Sequence, residues 1–165
     1  MLTWRGTLWG FTMDKVAAEG PVQVPSGGTA CVTAEQVGAA AAGAVERSGP
    51  HAAWPIGGEN LSYREIYGMF ADALGVTPDF VPADTSAAHA AAEAQRRRLA
   101  DAGIETGYDP LDVALWQEQD LFLDPGPAMT ALGYPPDDIA RAIRDTVDAT
   151  RKHGGQGPAS LTKPT

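Results

Sequence analysis

Four tyrosines, three histidines, one cysteine and a run of three arginines are the side chains in this sequence with chemistry to offer. A tyrosine that moves protons near neutral pH needs a cation to stabilise its phenolate. No lysine follows any tyrosine at a spacing of four, and Arg64, adjacent to Tyr63, falls on a different part of the helix surface. Tyr63 and Tyr67 therefore read as packing residues of a helix. His51, His89 and His153 are scattered over a loop, a helix and a tail. They lack helical ligand spacing and an acidic companion, so no metal site is expected. Cys31 lies in an apolar run and reads as a small buried hydrophobe; a single cysteine provides no disulfide framework and no cysteine cluster for zinc.

The remaining polar clusters have plain readings. Arg96-Arg97-Arg98 reads as a solvated face, with a phosphate-type anion site as the alternative. Asp137-Asp138 reads as a helix N-cap with a dipole-favoured neighbour, and Glu118 and Asp120 fall on a polar stretch with no obvious partner. A glycine-rich phosphate loop needs three spaced glycines between a strand and a helix. Gly27-Gly28 and Gly57-Gly58 each lack the third and read as turns. No catalytic residue is assigned.

The elements that would carry these groups are legible in part. Met1 to Gly10, with two tryptophans, reads as a buried strand, followed by a short helix over Phe11 to Ala18. Val22-Gln23-Val24 and Ala30-Cys31-Val32 read as strands. Thr33 with Gln36 and Ser62 with Glu65 are capping boxes. The first opens an Ala-rich helix to about Arg47, whose small residues suit packing on a sheet; the second opens Tyr63 to Leu74, stopped by Gly75. Ala52 to Ile56 reads as a strand between them. Asp84 to Asp101 is a helix, Gly103 to Asp112 a loop, and Val113 to Phe122 helical. Asp124-Pro125 starts a helix that Gly133 ends. Asp137 caps the last one, in which Ile139, Ala142, Ile143 and Val147 follow the amphipathic period.

Composition bounds the function. A chain of 165 residues with 44% hydrophobic residues supports a modest core. Its net charge of −9 repels phosphate backbones and anionic lipid, so neither nucleic acid nor a membrane is an expected partner. The sequence shows no signal-peptide pattern, and a cytoplasmic location is expected.

Four segments in order carry a family likeness: Leu2 to Gly10; Val32 to Val45; Trp54-Pro55-Ile56-Gly57-Gly58-Glu59-Asn60-Leu61-Ser62-Tyr63-Arg64-Glu65-Ile66; and Ala131 to Pro135 with the helix from Asp138 to Ala149. Together they resemble the C-terminal half of an extended or atypical short-chain dehydrogenase/reductase, the NAD-dependent epimerase/dehydratase group. Three details depart from the family pattern. Gly6 stands where Pro is usual, the span from Arg5 to Gly10 is one residue short, and Gln36 replaces the Asp of an Asp-Val-Ala motif.

The resemblance implies an α/β fold over residues 1–152, with a disordered tail over 153–165. It would be the C-terminal part of an NAD(P)-binding Rossmann-type fold, the last sheet strands plus a mostly helical substrate-binding subdomain, with the N-terminal nucleotide-binding half missing. Gly6, Thr7 and Leu8 would border a nicotinamide, and Arg5 and Trp9 would contact substrate. The parent reaction would be hydride transfer at a hydroxyl or carbonyl of a sugar-nucleotide or other small substrate. The family's Gly-rich loop and Tyr-x-x-x-Lys do not occur in the sequence. The chain alone is therefore expected to bind neither NAD nor NADP and to catalyse nothing. Its expected partners are a small-molecule substrate and either an N-terminal Rossmann half or a second copy in a homodimer. The alternatives are a non-enzymatic small-molecule-binding or regulatory remnant, and one half of a split enzyme.

Overall fold

Two capping boxes fix where the principal helices begin. Thr33 precedes α2 (Ala34–Arg47) and Ser62 precedes α3 (Tyr63–Leu74). In each, the cap hydroxyl accepts from the backbone N–H three residues on, and that residue's side chain accepts from the cap's own N–H. Gly75 closes α3 at φ 73°, a left-handed conformation that a Cβ would strain.

The computed structural model describes residues 8–49 and 51–152. Besides α2 and α3 they form α1 (Leu8–Ala17), β1 (Val22–Val24), β2 (Gly28–Cys31), β3 (Glu59–Ser62), β4 (Phe80–Pro82), α4 (Thr85–Asp101), α5 (Pro110–Trp116), β5 (Asp120–Leu121), α6 (Gly126–Leu132) and α7 (Ile139–Lys152). Strands β1 and β4 pair in parallel. Strand β2 pairs antiparallel with β3 and parallel with β5, in the order β3-β2-β5. The result is an α/β fold with mixed sheets.

Two apolar clusters hold these elements. The larger centres on α3, whose Ile66, Tyr67 and Phe70 meet Met13 and Val16 of α1, Val22 and Val24 of β1, and Ile139, Ile143 and Val147 of α7. Phe70 is 1% exposed, and burial of a side chain that size contributes about 1.5–3 kcal/mol. The stripe on α7 has the three-and-four spacing read from the sequence, and Thr146 joins it. The smaller cluster joins Ala40 of α2 to Ala128 and Leu132 of α6 and to Tyr134.

Several expectations are corrected. Leu8, Trp9 and Gly10 belong to α1 and not to a strand; Thr12, Met13 and Val16 make a helical face against α3, and that packing outweighs the strand-like composition. Residues 52–58 form no strand; pairing with β2 begins at Glu59 instead. The small residues of α2 serve a helix and not a sheet: a Cβ on Gly43 would collide with the Leu132 carbonyl of α6. Residues 113–122 split into the end of α5, a turn, and β5. Asp124 accepts from Gly126 N–H at 2.9 Å just ahead of α6, which starts one residue later than the sequence implies. The side-chain cap of α7 comes from Asp138, which accepts from Arg141 N–H at 2.8 Å. Asp137 is thereby released for a different contact.

Arg5, Gly6 and Thr7, and residues 153–165, lie outside the described residues. No helix among the described residues is long and apolar enough to cross a membrane.

Candidate functional site

The large cluster does not close completely. A cavity of about 510 Å³ remains between α1, α3, α7, β2 and α5. That size is within the usual range of small-molecule sites, about 300–1,000 Å³. Phe11, Ile66, Phe70, Val113, Trp116 and Ile143 supply most of its apolar wall. Lys15 of α1, Tyr63 and Tyr67 of α3, and Cys31 of β2 supply polar atoms.

The Lys15 ammonium donates to the Tyr67 hydroxyl at 3.5 Å and lies 5.2 Å from that ring's centroid, within cation–π range. The lysine that sequence spacing withholds from these tyrosines thus arrives from 52 residues away, through the packing of α1 on α3. Lys15 sits on the rim of the buried Thr12, Met13 and Val16 face, half-buried, with an aliphatic stem suited to an apolar wall. A cation on the margin of the apolar stripe of the helix read over Phe11 to Ala18 was the available signal; what the sequence could not give is the packing of that helix on α3.

The electrostatics decide what this pair can do. Burial pulls the Lys15 amine below its ordinary value. Burial, then the neighbouring Tyr63, pushes the Tyr67 phenol up; burial, then Cys31, does the same to Tyr63. Both phenols therefore stay protonated at neutral pH, and the cavity offers them as hydrogen-bonding groups and not as phenolate bases. Cys31 is half-buried on the wall instead of fully buried, and its thiol is raised to about 11 by burial and by Glu59. A thiol in that state is a poor nucleophile.

One side of the cavity is braced by a polar tie. The buried Thr33 hydroxyl donates to Asp137 Oδ2 at 2.7 Å while it caps α2. Asp137 Oδ1 accepts from the Arg141 guanidinium at 2.6 Å and from Asp138 N–H at 2.8 Å. Those bonds, that of Arg141 first, hold the Asp137 carboxyl down at about 2. Gln36, which resemblance marks as a departure, completes the capping box and donates to the Pro135 carbonyl at 3.1 Å. The start of α2 is thereby fastened to the start of α7.

Other singled-out residues are spoken for elsewhere. Glu118 pairs with His89, which gives it the partner the sequence did not reveal. Arg96 bonds Glu93 at 2.7 Å and Asp109 at 3.4 Å, and Arg97 reaches Glu93 at 3.5 Å. With carboxylates already on two of the three guanidiniums, the anion-site alternative loses its support. His51 is exposed, and His153 lies outside the described residues. Among the described residues no three His, Cys, Asp or Glu gather as a metal would require.

The two glycine pairs do not make a dinucleotide fingerprint. Gly27-Gly28 and Gly57-Gly58 lead into β2 and β3 and not into helices. In the helices that do follow β2 and β3, one first-turn N–H each, that of Gln36 and that of Glu65, is bonded to the cap hydroxyl of Thr33 or Ser62, and Glu35 and Glu65 place negative charge in those turns. A pyrophosphate needs such donors free.

These elements define an α/β fold with mixed sheets built around one apolar cavity. The same architecture occurs in the crystal structure of gox2253, which matches 94% of this chain and 48% of its own at a TM-score of 0.67 and 24% identity. The chain spans about half the length of that protein, and the likeness concerns the fold. No protein-family model and no curated protein matches the sequence.

Proposed function

We propose that this chain forms the substrate-side portion of an NAD(P)-dependent epimerase-, dehydratase- or reductase-like fold of Rossmann type. It holds a small hydroxyl- or carbonyl-bearing molecule in the cavity of Lys15 and Tyr67 and performs no catalysis alone. The observation that carries this reading is the 510 Å³ cavity, set in an architecture that half of a longer chain shares. Protonated Tyr63 and Tyr67 suit recognition of a substrate oxygen. In the fuller fold, Gly6, Thr7 and Leu8 border the nicotinamide and Arg5 and Trp9 approach the substrate, with an N-terminal Rossmann half or a second copy as partner.

Calorimetric titration of the chain with NADH, NADPH and a panel of small hydroxy and carbonyl compounds tests this. The expected result is saturable heat with members of the panel and none with either dinucleotide. Tight dinucleotide binding by this chain alone would overturn it.

The same cavity also suits a second reading, a binding module with no oxidoreductase partner. Co-purification with a Rossmann-half protein would favour the first over the second.

A further inference from the structure

We infer that the cavity recognises an apolar monocarboxylate, a small acid with an aliphatic or aromatic body, by seating its carboxylate on the Lys15 ammonium. The inference rests on reading the cavity as a small-molecule site and adds the ligand class. Among the described residues Lys15 is the sole charged side chain on the wall, and it makes no ion pair there. Every other cavity group is apolar or neutral.

A half-buried ammonium whose described partners are a long 3.5 Å contact to a hydroxyl and the face of one ring has donor capacity left over. An ionised carboxylate supplies the short charge-assisted bond that it lacks. The Tyr67 hydroxyl, protonated and beside the ammonium, can donate to the second carboxylate oxygen. The remainder of such a ligand needs apolar surroundings, and Phe11, Ile66, Phe70 and Trp116 provide them.

The wall argues against polyhydroxylated ligands. Two of its threonine hydroxyls already have partners: Thr33 donates to Asp137, and Thr146 donates to the Ala142 carbonyl at 2.7 Å. A sugar would set several of its hydroxyls against the carbon side chains of Phe11, Ile66, Phe70 and Trp116, where an unpaired hydroxyl is costly. The cavity therefore points away from the sugar-nucleotide end of the substrate range and towards hydrophobic acids.

Calorimetry on the full chain with octanoate and cinnamate, each against its neutral alcohol, tests the inference. One acid should bind per chain, at least about tenfold tighter than its alcohol. Lys15→Met should erase that preference with the thermal midpoint preserved, and Lys15→Arg should keep most of it. Equal affinity for acid and alcohol, or a preference that survives Lys15→Met, would overturn charge recognition and leave the small-molecule site standing. If neither acid nor alcohol binds while a compound of the hydroxy and carbonyl panel does, the acid class is overturned and the small-molecule site stands; if nothing binds, both fail. Should Lys15→Met not fold, the ratio of acid to alcohol on the native chain decides.

Discussion

Two buried tyrosines divide this molecule. Tyr134, 2% exposed, donates its hydroxyl to the Gly57 carbonyl at 3.0 Å and accepts from the Gly57 N–H at 3.4 Å. It locks the loop before β3 to the segment after α6. The hydroxyl of Tyr67, a residue 6% exposed, has among the described residues one long bond, from Lys15, and a cavity beside it. A buried hydroxyl with its bonds complete holds structure together. One with capacity left over, next to open apolar space, is placed to meet a ligand. The difference sets a hydroxyl with capacity left for a ligand in the α1–α3–α7 region against one spent on structure beside α2 and α6.

The largest expected effect comes from the cavity's own wall. Phe70→Ala should lower unfolding free energy by about 3–5 kcal/mol in urea titration, since it enlarges a space that is already unfilled. A loss below about 1 kcal/mol would mean that α3 packs less tightly there than described. Next is Tyr134→Phe, which leaves a buried N–H and carbonyl of Gly57 unpartnered and should cost about 1–3 kcal/mol by the same measurement.

The Thr33–Asp137–Arg141 tie gives a pH signature. Asp137 titrates near 2 in the folded chain, below its ordinary 3.8, so its stabilising effect is complete above pH 4 and disappears as pH falls towards 2. Thermal midpoints of native chain and Asp137→Asn should differ at pH 6 and converge between pH 4 and 2. A constant difference across that window would show that the tie is not ionic. The smallest stability effect belongs to Tyr67→Phe, expected within about 0.5 kcal/mol of the native chain. Its consequence should appear in ligand affinity instead. If Tyr67→Phe proves as damaging as Tyr134→Phe, the contrast between the two tyrosines collapses.

Signals confined to a few residues were legible in the sequence. Both capping boxes, the left-handed glycines Gly75 and Gly133 and the α7 stripe occur where local chemistry puts them. Each depends on neighbours three or four positions apart. The candidate site was not legible, because it is made by long-range packing. Lys15 meets Tyr67 across 52 positions, Thr33 meets Asp137 across 104, and His89 meets Glu118 between separate elements. Leu8–Gly10 misled for the same reason: their aromatic composition suits a strand, and only the docking of Met13 and Val16 on α3 makes the segment helical.

Amide hydrogen exchange with and without octanoate tests the central claim most directly, since it reads both regions at once. Slowed exchange is expected in α1 and α3 around Lys15 and Tyr67, with α6 and the amides around Gly57 unchanged. Protection confined to the α6 and Gly57 region, or no change anywhere, would contradict it.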